Sequence, residues 1–184
     1  MERPDMFIVA CLGNPGKKYK NNRHNAGFIL GEFLIRNYRI SVTSSSFHAV
    51  SGKGTIQMRE VLLLLPQGYM NRSGVSVRAA MAFYKIQPER LIVIHDEIEL
   101  PFGVIKKKFG GGHKGNNGIR SIIQEIGTPD FHRIRFGVGR PDKPDTAVAD
   151  HVLSNFTKEE LLQIQELAPA AAEMLISILT AKPE

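Results

Sequence analysis

In this sequence a histidine, a carboxylate and several asparagines stand just after short apolar runs. Open α/β sheets gather their ligands at such places, the carboxyl ends of strands. After the run 7–12 come Gly13-Asn14-Pro15-Gly16, then Tyr19, then Arg23-His24-Asn25-Ala26-Gly27. After 61–65 comes Tyr69-Met70-Asn71, and after 91–94 comes His95-Asp96-Glu97. A fourth segment, Gly110-Gly111-Gly112-His113-Lys114-Gly115-Asn116-Asn117-Gly118, precedes an isoleucine-rich stretch. A histidine oriented by a carboxylate is a general base near neutral pH, and asparagine amides can hold a water or bond a carbonyl or oxyanion. If His24, Asp96 and the asparagines meet at one sheet edge, the chemistry is hydrolysis. No serine or cysteine stands out as a nucleophile and no His/Asp/Glu set has metal-ligand spacing, so attack by activated water is favoured over covalent or metal-assisted routes.

Taken singly, each cluster has a plainer reading. Gly13–Gly16 is a turn. The glycines of 110–118 make a loop that matches neither the dinucleotide nor the P-loop spacing. His24 can anchor the helix that follows it, Asp96 can satisfy backbone donors, and Asn71 can close an Asx turn. Met70 can simply pack, Tyr19 can pack or stack on a base, and Cys11 belongs to a buried run and is assigned no chemistry. Lys106, Lys107, Lys108, Lys114, Arg120, Arg133 and Arg135 flank the glycine-rich segment as a phosphate track or a solvated face.

The elements that must position these residues follow from apolar spacing. The runs 7–12, 61–65 and 91–94 are greasy on both faces and predict buried parallel strands. Helical spacing predicts helices over 27–35, over 75–83 after a cap at Ser73, and over 119–126, stopped by Gly127. Residues 133–138 predict a half-covered strand with its arginines on one face. Thr157 with Glu160 makes a capping box for a last helix that Pro169 must kink or split. Thr43–Ser46 reads as a polar linker and Pro141–Pro144 as a surface loop. The strand–helix alternation predicts one α/β domain over residues 1–184, with a mixed, mostly parallel sheet and helices on both faces.

Composition agrees with a packed domain and adds a hint about partners. Hydrophobic residues make up 42% and charged residues 23% of the chain, close to ordinary globular usage. The formal charge of +6 favours an anionic partner. One cysteine excludes an intrachain disulfide, no apolar stretch is long enough to span a bilayer, and Met1-Glu2-Arg3-Pro4-Asp5 does not begin a secretory leader. A cytoplasmic setting is expected.

Six motifs in fixed order add a resemblance that extends from the first strand to about Leu153. They are Gly-Asn-Pro-Gly at 13–16, Arg-His-Asn-Ala-Gly at 23–27, Met-Asn-Arg-Ser-Gly at 70–74, His-Asp-Glu at 95–97, Gly-Gly-Gly-His at 110–113 and Phe-His-Arg-Ile-Arg at 131–135. The set resembles bacterial-type peptidyl-tRNA hydrolase. That resemblance implies an esterase that frees tRNA and peptide from peptidyl-tRNA, in translation and ribosome rescue. His24 would be its base and Asp96 the orienting partner. Asn14, Asn71 and Asn117 would hold the ester and peptide backbone, with Tyr19 and Met70 lining the site. Lys108 and Arg135 fall at the cationic tRNA-contacting positions. The resemblance further implies a monomer without metal or nucleotide cofactor.

Two departures stand out. Asn116-Asn117 replaces the His-Asn common in the family, removing an imidazole, and the carboxyl terminus looks short. A non-catalytic RNA-binding relative is the main alternative, opposed by the intact His24, Asp96 and Asn14. A nucleotide-binding α/β protein is the weaker one, because the first loop lacks the glycine pattern.

Overall fold

The structure is a computed structural model that describes residues 5–182, so most of the segment Met1–Asp5, which bears on a leader, lies outside the described residues. The chain runs β1 (Met6–Cys11), α1 (Ala26–Asn37), β2 (Thr43–Ser46), β3 (Ala49–Ile56), β4 (Arg59–Pro66), α2 (Ser73–Tyr84) and β5 (Leu91–Glu97). It continues with β6 (Ile105–Phe109), α3 (Asn117–Ile126), β7 (His132–Gly137), α4 (Val148–Val152) and α5 (Lys158–Leu179). The strands form one seven-stranded sheet in the order β2-β3-β4-β1-β5-β7-β6.

The four inner strands, β4, β1, β5 and β7, are mutually parallel, and the outer β2, β3 and β6 pair antiparallel. Alternation along the strands sends Val9, Leu63, Ile94 and Phe136 to the face covered by α1 and α5. Ile8, Leu64 and Val93 belong to the opposite face, where Ile122 of α3 packs with them under α2 and α3. This is the expected mixed sheet with helices on both faces.

Several local expectations are corrected. Thr43–Ser46 is an exposed edge strand rather than a linker. The strands β3 and β6 escape the apolar-run test for different reasons: β3, paired between β2 and β4, carries Gly52 and Gly54 beneath Ile40, whereas β6 lies at the sheet edge, where polar residues are tolerated, and reads Ile-Lys-Lys-Lys-Phe. Ser73 does not cap α2; it is the first helical residue and its hydroxyl donates to the Met70 carbonyl at 2.8 Å. Pro169 leaves α5 a single helix of 22 residues, since it lies on the exposed side and the Gln165 carbonyl it leaves unbonded faces water. The Thr157/Glu160 capping box and the left-handed Gly127 cap are both formed.

One close approach fixes where α1 begins. A Cβ on Gly27 would lie 2.5 Å from the carbonyl oxygens of Leu12 and Ile94, so only glycine lets the start of α1 rest on the ends of β1 and β5. The Phe28 N–H donates to that same Leu12 carbonyl at 3.1 Å.

Candidate active site

Three loops meet above the carboxyl ends of β4, β1 and β5. His24 comes from a short 3-10 turn, Arg23–Asn25, that leads straight into α1, and Asp96 from the end of β5. The turn is held down by Arg23, which donates to Ser154 Oγ at 2.8 Å and pairs with Glu160 at 3.0 Å. His24 Nδ1 lies 2.8 Å from Asp96 Oδ2, with the residues only 7% and 2% exposed. A carboxylate oxygen accepts, so Nδ1 carries the proton and Nε2 is left with its lone pair. Burial alone pushes the imidazole below its ordinary value. The charge of Asp96 and the hydrogen bond to it outweigh burial and hold His24 above that value.

The pair opens into a cavity of about 410 Å³, lined further by Glu97, Ile98, Lys114, Asn116, Asn117, Arg140 and Val152 among others. Asn117 therefore lines the same cavity as the pair. Asn14 is 7% exposed, and its Oδ1 accepts from the Met70 N–H at 2.7 Å, joining the loops after β1 and β4. That bond leaves Nδ2 as the part of the amide free to meet a substrate. Met70 is buried, and Tyr19 is half-buried with its ring edge-on to Tyr69 at 6.2 Å. Asn71 is exposed on the 3-10 turn Met70–Arg72, and like Asn14, Tyr19 and Met70 it is not among the residues lining the cavity of His24 and Asp96; Asn14 lines a second cavity with Pro15, Asn25 and Phe28.

Three contributors carry no strong sequence signal. Asn25 clamps Asn14 from both sides, its Oδ1 accepting from the Asn14 N–H and its Nδ2 donating to the Asn14 carbonyl, each at 2.9 Å. Asn116 donates to Asp96 and caps α3. Tyr69 is 53% exposed and adopts φ 68° and ψ 161°, a region almost reserved for glycine. Its place between Gly68 and Met70 was the available hint, because a strained non-glycine residue beside a polar loop often marks a functional site.

The cations separate into groups by strand alternation. Lys106, Lys108, Arg133 and Arg135 share the α3 side of β6 and β7, with Lys106 opposite Arg135 and Lys108 opposite Arg133. Lys107 turns the other way and donates to Ser177 on α5 at 3.1 Å. Arg133 is buried and donates to the carbonyls of Gly111, Gly112 and Pro129, so it shapes the glycine-rich loop instead of lining a track or a solvated face. Arg135 pairs with Glu97 at 3.6 Å. Lys108 is pushed down by partial desolvation and by Lys114, Arg133 and Arg135, which marks a dense positive field.

Comparisons with known proteins agree in one direction. The family model described as Peptidyl-tRNA hydrolase matches residues 8–184. The chain is 45% identical over 174 residues to a peptidyl-tRNA hydrolase of Geobacter sulfurreducens, covering 95% of this chain and 89% of that protein. It is 47% identical over 172 residues to one of Citrifermentans bemidjiense, covering 92% and 90%. A crystal structure of peptidyl-tRNA hydrolase from Acinetobacter baumannii superposes with a TM-score of 0.88 at 39% identity, covering 97% of this chain and 91% of that one.

Proposed function

Because this chain belongs to the peptidyl-tRNA hydrolase family and is a hydrolase of peptidyl-tRNA, we propose that His24 is the general base that delivers water to the ester. The observation that carries this reading is the buried His24–Asp96 pair at the wall of the cavity. Nε2 takes a proton from water as the water attacks the ester carbonyl, and Asp96 stabilises the imidazolium that forms. The C–O bond to the terminal ribose breaks, and the proton passes to the departing hydroxyl, leaving free tRNA and a peptide carboxylate.

Asn117 from the cavity wall, and Asn14 Nδ2 and Asn71 from outside it, hold the ester and the peptide backbone. Met70 supports Asn14 through its backbone, and Tyr19, with Tyr69 beside it, offers ring surface at the mouth. Lys108 and Arg135 take tRNA phosphate, because they face the same side of the sheet in a dense positive field. The enzyme works as a cytoplasmic monomer without metal or nucleotide cofactor, the imidazole itself supplying the base.

The deciding experiment incubates the protein with N-acetylated aminoacyl-tRNA and with the unblocked form and follows ester cleavage. Cleavage of the blocked substrate alone, lost in His24→Ala, is the expected result. Cleavage that survives in folded His24→Ala would overturn the assignment of the base. Tight tRNA binding without any cleavage would favour the RNA-binding alternative.

A further inference from the structure

We propose that Asn116 is a positioning residue for the hydrolysis, fixing the Asp96 carboxylate from the side opposite His24. The proposal rests on His24 being the base. Asn116 Oδ1 accepts from the backbone N–H groups of Gly118 at 3.0 Å and Ile119 at 3.1 Å, as the N-cap of α3. Its Nδ2 therefore points away from those donors, and it lies 3.3 Å from Asp96 Oδ1 and 3.2 Å from the Asp96 carbonyl oxygen. Turning the amide over would set its NH₂ against two N–H donors and its oxygen against a carboxylate. The start of α3 thus locks Asn116 into donating to Asp96.

Asp96 is consequently held on both oxygens, Oδ2 by His24 at 2.8 Å and Oδ1 by Asn116. Its backbone carbonyl is also pinned, accepting from His95 Nδ1 at 2.7 Å. A carboxylate bonded this way cannot rotate, so the plane of the imidazole and the direction of Nε2 are set. The neutral donor on Oδ1 also draws negative charge from Oδ2, so Asp96 favours the imidazolium less than a bare carboxylate would.

The charged and titratable neighbours are few. His95 and Glu97 lie on β5, Arg133 on β7, and Lys114 and Arg140 line the cavity. Arg23 beside His24 is paired with Glu160, and His151 on α4 is bonded to the Gly139 carbonyl. Burial holds His95 below its ordinary value. Asn116 itself does not titrate. It therefore adds no second proton to the pair.

Two variants separate capping from positioning. Asn116→Ser and Asn116→Asp both retain a good N-cap acceptor, but serine is too short to reach Asp96 and aspartate replaces the donor with a negative charge. The expected result is a drop of about tenfold in kcat for Asn116→Ser, the loss of one hydrogen bond to a charged group, with a smaller change in KM for N-acetylated aminoacyl-tRNA. The His24 titration, followed by NMR of its ring nitrogens without substrate, moves upward in both variants and further in Asn116→Asp. The acid limb of kcat/KM moves with it. Wild-type titration and pH profile in both cap-competent variants would overturn the proposal and leave Asn116 as a cap alone. If the aspartate variant fails to fold, the serine variant carries both measurements, with circular dichroism to verify its fold. His24→Ala is assayed beside them. Turnover retained there overturns the base assignment, whereas turnover lost there with silent Asn116 variants overturns only the role of Asn116.

Discussion

His24 must be neutral to take a proton from water, and the charge and hydrogen bond of Asp96 hold its imidazole above the ordinary histidine value. Accordingly, kcat/KM falls as pH drops through the His24 pKa, with a midpoint above about 6.5. A pH–rate profile whose acid limb lies below that value would contradict the pairing. Removing the base in His24→Ala lowers turnover by roughly 10²- to 10⁴-fold. Asp96→Asn acts on the same step, so the double variant loses much less than the product of the single losses. Steady-state rates for the three variants check this. The sequence made this pair legible because both residues follow apolar runs and have the types a base and its partner need. It did not reveal Asn116, whose importance depends on a cap that fixes which way an amide points. It named Asn71 by type alone, and Asn71 stands exposed on its turn, outside the cavity wall.

The elements that carry the pair depend on a few tight junctions. His24 lies three residues before Gly27, and the missing side chain at Gly27 is what lets α1 sit on Leu12 and Ile94. In Gly27→Ala the new methyl would meet backbone oxygens, which cannot rotate aside, so α1 must lift. A loss of about 1–3 kcal/mol is expected, read by denaturant unfolding, together with reduced kcat in the fraction that stays folded. Unchanged stability would mean that the helix start has more room than its close approaches indicate. The inner parallel strands were readable because residues buried on both faces leave continuous apolar runs. Their antiparallel neighbours were not, since β2, β3 and β6 are written with serine, glycine and lysine, and only pairing within the sheet makes them strands.

Across the whole molecule, the positive charge is not spread evenly over the surface. Lys108 and Arg135 share one side of the sheet, whereas Arg133 between them is spent on three carbonyls of the loop above. Lys108→Ala with Arg135→Ala should raise KM for tRNA-linked substrate, leave kcat at saturation nearly intact, and flatten the salt dependence of tRNA binding. The log–log slope should change by about 0.7 to 0.9 for each phosphate no longer neutralised. Arg133→Ala should instead lower stability by about 1–3 kcal/mol, because it removes a buried side chain that bonds three carbonyls of the loop. Equal salt slopes for wild type and double variant would rule out phosphate binding by Lys108 and Arg135. The place of α5 after every site residue in the sequence has a consequence in time. Every residue assigned to catalysis, substrate or tRNA lies before it, and α5 packs on α1, β6 and β7 over the face that bears Ile134 and Phe136. At roughly 5–20 residues per second of synthesis, a growing chain has its catalytic side chains some seconds before that greasy face is covered. During this interval the newborn protein has its site residues but an open flank, and it lacks Glu160, which holds the Arg23 turn, so it stays exposed to aggregation and chaperones until α5 is made.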